Sequence, residues 1–254
     1  NNEINGIDAL APVTVETQIL FPKYPSNESA GARQYTELTS PLFGLHTAKT
    51  ALDTDTAWAS NDTGSIQVYA IRKQRQTARD NPEVYFLLTG SSLGPITSSV
   101  YIDVYDNTEW NLSFRIKDTK YPLVDYITSS DIPVQVTAEL VGYQHIGDTI
   151  INSFAVSGTA QSAYGSTFFS VPKRLYVGAH RTNFSGTLLS ESDVFVSYAR
   201  YWNTYLSNDI LEYHAKNDAS YGVEHPYRNT YLFQGIETTG LAKSEMPRIS
   251  SLAL

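Results

Sequence analysis

Three segments near the end of the chain decide the fold: Arg174-Leu-Tyr-Val-Gly-Ala-His180, Ser192-Asp-Val-Phe-Val-Ser-Tyr-Ala-Arg-Tyr-Trp202 and Leu206-Ser-Asn-Asp-Ile-Leu-Glu-Tyr-His214. They read as a strand, a turn-rich gap, a second strand and a short helix. Ser207 is placed to cap that helix, because its hydroxyl can accept from an orphan amide of the first turn. Asp209 complements the positive end of the helix dipole. Leu206 and Leu211 hold the two positions of a hydrophobic staple, and Lys216 and Asn217 suit the other end, so the helix is expected near 207–216.

Upstream, the dominant period is 2 rather than 3.6. Ile66, Val68 and Ala70 share one face of an expected strand, and Trp110, Leu112, Phe114 and Ile116 share one face of another. Val100, Ile102 and Val104 alternate in the same way, and Asp106-Asn-Thr after them is turn chemistry, which predicts a hairpin between 99–105 and 110–116. The continuous apolar run Val84-Tyr-Phe-Leu-Leu88 is compatible with a strand buried on both sides. Strands are also expected over 134–141 and 150–156, either side of His145-Ile-Gly-Asp148, and over 168–171. About ten closely spaced strands point to an all-β sandwich or barrel.

Composition agrees. The chain has 254 residues, 41% hydrophobic, 17% charged and 12% aromatic, with 18 tyrosines. Aromatic residues suit pleated, half-buried surfaces. A net charge of −8 argues against a broad electrostatic grip on nucleic acid, which needs clustered cations. The basic run Arg72-Lys-Gln-Arg-Gln-Thr-Ala-Arg79 reads as a solvated loop or as cations meeting an acidic neighbour. With no cysteine, disulfides, thiolate metal sites and cysteine nucleophiles are excluded. No run of about 18 apolar residues is present, so no helical membrane span is expected.

Prolines 12, 22, 25 and 41 interrupt the first fifty residues. The expected organisation is an extended N-terminal arm over 1–40, one sandwich over 41–235 and an extended C-terminal segment over 236–254. The start at Asn1 and the alternating end at Pro247-Arg-Ile-Ser-Ser-Leu-Ala-Leu254 suggest a processed product or the ordered part of a longer polypeptide.

The stretch from Leu175 to His214 resembles the closing part of the concanavalin A-like lectin/glucanase jelly roll in its laminin-G-like form. The likeness rests on Val177-Gly178, a turn at Gly186, the Asp193-Val194 strand running into Arg200-Tyr201, and the Leu-Ser-capped helix. Together with Tyr221-Gly, Asn229-Thr-Tyr-Leu-Phe233 and Leu252-Ala-Leu254, it is similar to virion structural proteins of tailed bacteriophages. The resemblance implies an all-β, two-sheet antiparallel jelly-roll sandwich and a non-enzymatic structural protein of the capsid surface or tail, located in a virion or outside the cell. Its implied partners are copies of itself or other virion proteins, with host-surface glycans as a further partner, and neither nucleic acid nor membrane insertion. The alternatives are a secreted lectin-like carbohydrate-binding module and a glycoside hydrolase or lyase of the same superfamily.

Glucan-cleaving members of that superfamily carry Glu-x-Asp-x-x-Glu or Glu-x-Asp-x-Glu on a strand, so that alternation aims carboxylates into one cleft. The nearest approach is Asp103, Asp106 and Glu109, where the odd spacing of the aspartates places them on opposite faces of a regular strand. No histidine pair has metal-site spacing and no Gly-x-Ser-x-Gly elbow occurs, so no catalytic residues are assigned. For a sugar site, Tyr143, His145 and Asp148 on one connection and His180, Arg181 and Asn183 on another combine rings with hydroxyl-fixing groups. The competing reading is that such tyrosines dress a β surface or a subunit interface. Calcium is the one cofactor for which ligands can be named: Asp53, Asp55 and Asp62 offer closely spaced oxygens without the register of an EF-hand. Of four glycosylation sequons, Asn111 falls in mid-strand.

Overall fold

The computed structural model describes residues 3–4, 7–10, 12–23, 38–47, 66–73, 83–90, 93–119, 135–161, 173–181, 187–220 and 249–251. In chain order the strands are β1 (Glu3–Ile4), β2 (Ile7–Leu10), β3 (Val13–Phe21), β4 (Thr39–Thr47), β5 (Ile66–Arg72), β6 (Val84–Gly90), β7 (Leu93–Thr97), β8 (Thr108–Asp118), β9 (Gln135–Ile146) and β10 (Thr149–Gln161). They continue as β11 (Lys173–Val177), β12 (Ala179–Arg181), β13 (Leu188–Glu191), β14 (Phe195–Trp202) and β15 (Ile249–Ser251), with one helix among the described residues, α1 (Asn208–Lys216), after β14.

Two antiparallel sheets dominate. One has six strands in the order β10-β9-β8-β3-β14-β15, the other five in the order β11-β4-β5-β6-β7. Their inner faces meet in a single apolar interior, a β-sandwich. Alternation dictates which residues enter it. From the large sheet come Val13, Val15, Ile19 and Phe21 of β3 and Trp110, Leu112, Phe114 and Ile116 of β8; from the small sheet come Phe43, Leu45, Ile66, Val68, Ala70 and Phe86. Phe43 stacks on Phe114 with ring centroids 5.8 Å apart, and Phe86 tilts against Trp110 at 4.9 Å. These ring pairs join the two layers.

The helix lies where its signals place it. Ser207 caps it by accepting from the Ile210 amide, and Leu206 and Leu211 are both buried in a second apolar cluster with Val141, Tyr143, Trp202 and Ala215. That cluster rests on the outer face of the six-stranded sheet.

Four local expectations change. Val13–Phe21, inside the stretch expected to be an arm, is a central strand paired to β8 on one side and β14 on the other. The expected strand over 99–105 is a bend and turn with one bridge at Tyr101; Asp103 takes φ 60°, and Val100 and Ile102 point to solvent. β6 is half-buried rather than buried on both faces, with Val84, Phe86 and Leu88 inward and Tyr85 and Leu87 only partly covered. The hairpin β9–β10 is longer than expected and turns at Gly147-Asp148, where Gly147 adopts φ 57°, a conformation that costs glycine little. The expected strand over 168–171 lies outside the described residues.

Two cations of the basic run meet acids. Arg72 is buried, pairs with Asp193 and places its guanidinium 3.8 Å from the centre of the Tyr105 ring, while Lys73 bonds Glu83 at 2.8 Å. Asp193 thereby ties the segment entering β14 to the end of β5.

Candidate functional site

The outer face of the six-stranded sheet is polar along its central strands. Successive cross-strand rows are Tyr198, Gln18, Asn111 and Tyr143, then Arg200, Glu16, Ser113 and Val141, then Trp202, Thr14, Arg115 and Glu139. A lone carboxylate in such a place is costly unless fully bonded. Glu16, with no exposed surface, is fully bonded: Trp202 Nε1 donates to it at 3.1 Å, Arg200 Nη1 at 3.3 Å, and His214 Nδ1 lies 3.0 and 3.1 Å from its two oxygens. His214 comes from α1, so the ion cluster fastens the helix over the sheet. Arg200 also donates to the Ser220 carbonyl at 2.8 Å and to that of Asp218, extending the closure past the helix end.

Beside this closure lies an open cleft of about 420 Å³, lined by Arg115, Glu139, Tyr205, Ser157, Ser207 and Asp209 among others. Glu139 is its hub. Arg115 Nη2 reaches it at 2.5 Å, Lys117 Nζ at 3.6 Å, and the Tyr205 hydroxyl donates to it at 2.9 Å. The Arg115 guanidinium and the Lys117 ammonium also approach the Tyr205 ring at 4.4 and 4.0 Å. The exposed hydroxyls of Ser157 and Ser207 and the Asp209 carboxylate can hydrogen-bond a polyol such as a sugar, above a floor in which Arg115 is buried against Glu139. No strand supplies more than part of this cleft, so spacing along the chain could not reveal it.

The outer face of the five-stranded sheet carries a second polar group beneath the β12–β13 hairpin. Gln67 Nε2 lies 3.0 Å from His180 Nε2, the Tyr69 hydroxyl donates to Gln67 Oε1, and His180 Nδ1 lies 3.4 Å from that hydroxyl. The three side chains close a ring of hydrogen bonds that needs a neutral imidazole protonated on Nδ1. Burial acts in the same sense, holding the His180 pKa below its ordinary value and pushing that of Tyr69 up to about 12. Tyr176 stacks on His180 at 5.4 Å and meets His46 edge-on at 5.3 Å. Lys173, on the same edge strand, has its pKa lowered by burial to about 7.

The residues anticipated for ligand binding are dispersed. Tyr143 is buried under α1 and its hydroxyl donates to the Asn208 carbonyl at 3.2 Å. His145 is buried against Gln18 at 2.8 Å, and Asp148 sits exposed in the β9–β10 turn. Arg181 is exposed at the end of β12, on the side of the small sheet, away from those three; Asn183 lies outside the described residues. Asp53, Asp55 and Asp62 also lie outside them, and among the described residues no group of three His, Cys, Asp or Glu side chains could hold a metal ion. Asn111 is fully buried, its amide donating to Tyr198 at 2.7 Å. In comparisons with protein-family models, curated proteins and solved structures, no match to the chain is found.

Proposed function

We propose that this chain is a non-enzymatic structural protein of an extracellular assembly, a component of the capsid surface or tail of a phage virion. In this reading its sandwich is a concanavalin A-like jelly roll that holds contact surfaces for copies of itself or for partner virion proteins. The observation that carries the reading is the state of Glu16. A glucanase of the resembled superfamily needs strand-borne carboxylates open to a groove; here the central carboxylate of the large sheet is spent on Arg200, Trp202 and His214 beneath a helix, and Glu139, the strand carboxylate that lines the cleft, is engaged by Arg115, Lys117 and Tyr205. A rigid platform of this kind can vary its loops without cost to the fold. Large apolar side chains at the periphery, Phe195 and Val196 at the start of β14 and Leu188 and Leu189 on β13, offer contact area to a neighbour.

The test has two arms. Mass spectrometry of purified particles from the source should find the chain as a stoichiometric component, and incubation with a panel of polysaccharides should release no sugar. Turnover of any polysaccharide, abolished by Glu139→Gln, would overturn the proposal in favour of a hydrolase or lyase.

The cleft around Glu139 favours a second reading, adhesion to a glycan. Selective retention on a glycan array, lost in Asp209→Asn with no more than the roughly 0.3–1 kcal/mol loss of stability that removing a first-turn acid brings, is the result that reading requires.

A further inference from the structure

The four outer edges of the two large sheets are not alike. β7 has five residues and includes Pro95, β11 has five and begins Lys173-Arg174, and β15 has three. Short length, proline and charge are the usual devices that keep an edge from pairing with another chain. β10 has none of them over most of its length. It has 13 residues, Thr-Ile-Ile-Asn-Ser-Phe-Ala-Val-Ser-Gly-Thr-Ala-Gln, with no charged residue and no proline, in a chain of net charge −8. Its irregularity is confined to one end, between Ile150 and Asn152, which leaves residues 152–161 in unbroken register with β9.

Among the described residues, the backbone ladder of β10 is with β9 alone, and the other hydrogen bond to its main chain is from the Tyr101 hydroxyl to the Ser153 carbonyl, 3.3 Å. Its outer side chains, Ile151, Ser153, Ala155, Ser157 and Thr159, are exposed, and all after Ile151 are small. Its inner face is already packed, with Phe154 against Phe86 and Gly158 under Ile96. What remains to be satisfied, among the described residues, is the row of outward amides and carbonyls.

We infer that β10 pairs antiparallel with β10 of a second copy, joining two six-stranded sheets into one continuous sheet across a twofold axis. The inference rests on the structural-protein reading above, and names one of its self-contacts. A second copy is the occupant that the strand's own composition selects. A twofold sets like beside like, which penalises any charged strand, and this strand is uncharged. With the axis at Val156, that residue meets its own copy, Phe154 lies opposite Gly158 of the second copy and Ser153 opposite Thr159, so no aromatic side chain faces another.

Sedimentation equilibrium of the full chain over about 1–100 μM, a range that spans micromolar dissociation constants, should give a dimer. Ser153→Lys/Thr159→Lys, on the exposed face and outside the Glu139 cleft, should sediment as a monomer with an unchanged circular dichroism spectrum. Mixing it with Ser153→Glu/Thr159→Glu should restore a dimer containing one of each, a result that a merely structural role would not produce. A monomeric wild-type chain over the whole range overturns the inference, and so does an oligomer that the lysine pair leaves intact. Neither result bears on polysaccharide turnover or on the particle census, so the two readings fail separately.

Discussion

The outer faces of the two sheets solve one problem in two ways. Each must cover polar side chains carried outward by the pleat of central strands. The six-stranded sheet does it with charge, closing Glu16, Arg200 and His214 into a cluster that a helix helps to build. The five-stranded sheet does it without charge, closing Gln67, His180 and Tyr69 into a hydrogen-bonded ring under a short hairpin. The charged solution gives little net stability when intact and costs much when one member is lost. The neutral ring should tolerate small insults but respond to protonation.

The largest effect is expected from removing the hub of the charged face. Glu16→Ala strands Arg200 and His214 without their carboxylate, and urea denaturation should show a loss of about 3–5 kcal/mol. A loss under about 1 kcal/mol would mean that the cluster is open to water and that α1 is not fastened by it.

On the neutral face, Gly44→Ala is the sharpest steric probe. A methyl there would stand 2.3 Å from the Ile66 carbonyl oxygen and 2.6 Å from the Tyr176 hydroxyl. The backbone contact cannot yield as a side-chain tip can, so the cost should reach about 1–3 kcal/mol, read from the same denaturation curves. Stability equal to wild type would show that β4 and β5 can part without loss, leaving the cover of this face without a firm base.

The smallest effect separates the faces by pH. His180 has a folded pKa below 6.5, so the unfolded chain takes up its proton first as pH falls. The fold therefore loses stability below pH 6.5, down to the folded pKa, and keeps the contribution in full above 6.5. Comparing wild type with His180→Gln between pH 7.5 and 5 should show the wild type losing stability relative to the variant as the pH falls. Parallel pH profiles would remove the neutral ring from the account. Lys173 acts in a higher window: with a folded pKa near 7 against 10.5, it makes stability rise as pH climbs between those values.

The same contrast explains what the sequence disclosed. β8 was legible because its inward positions 110, 112, 114 and 116 are large and apolar, and α1 because cap, staple and first-turn acid coincide. β3 was not, because Thr14, Glu16 and Gln18 on its outer face are buried polar residues and Thr17 interrupts the inward apolar row. Nothing local to Glu16 announces that Arg200, Trp202 and His214, almost two hundred residues on, will surround it. The segment over 99–105 fails in the opposite sense: it alternates, yet positive φ at Asp103 turns the chain and leaves Ile102 outside. The cleft at Glu139 combines β8, β9, β10 and the helix start, a juxtaposition made by strand order and by the docking of α1 on the sheet.

Amide hydrogen exchange followed peptide by peptide tests the helix-closed sheet most directly. Residues 13–21 and 208–216 should both be protected, and Glu16→Ala should release 208–216 while leaving 66–72 of the other layer unchanged. Rapid exchange of 13–21 in the wild-type protein, or protection of 208–216 that is indifferent to the loss of Glu16, would contradict it.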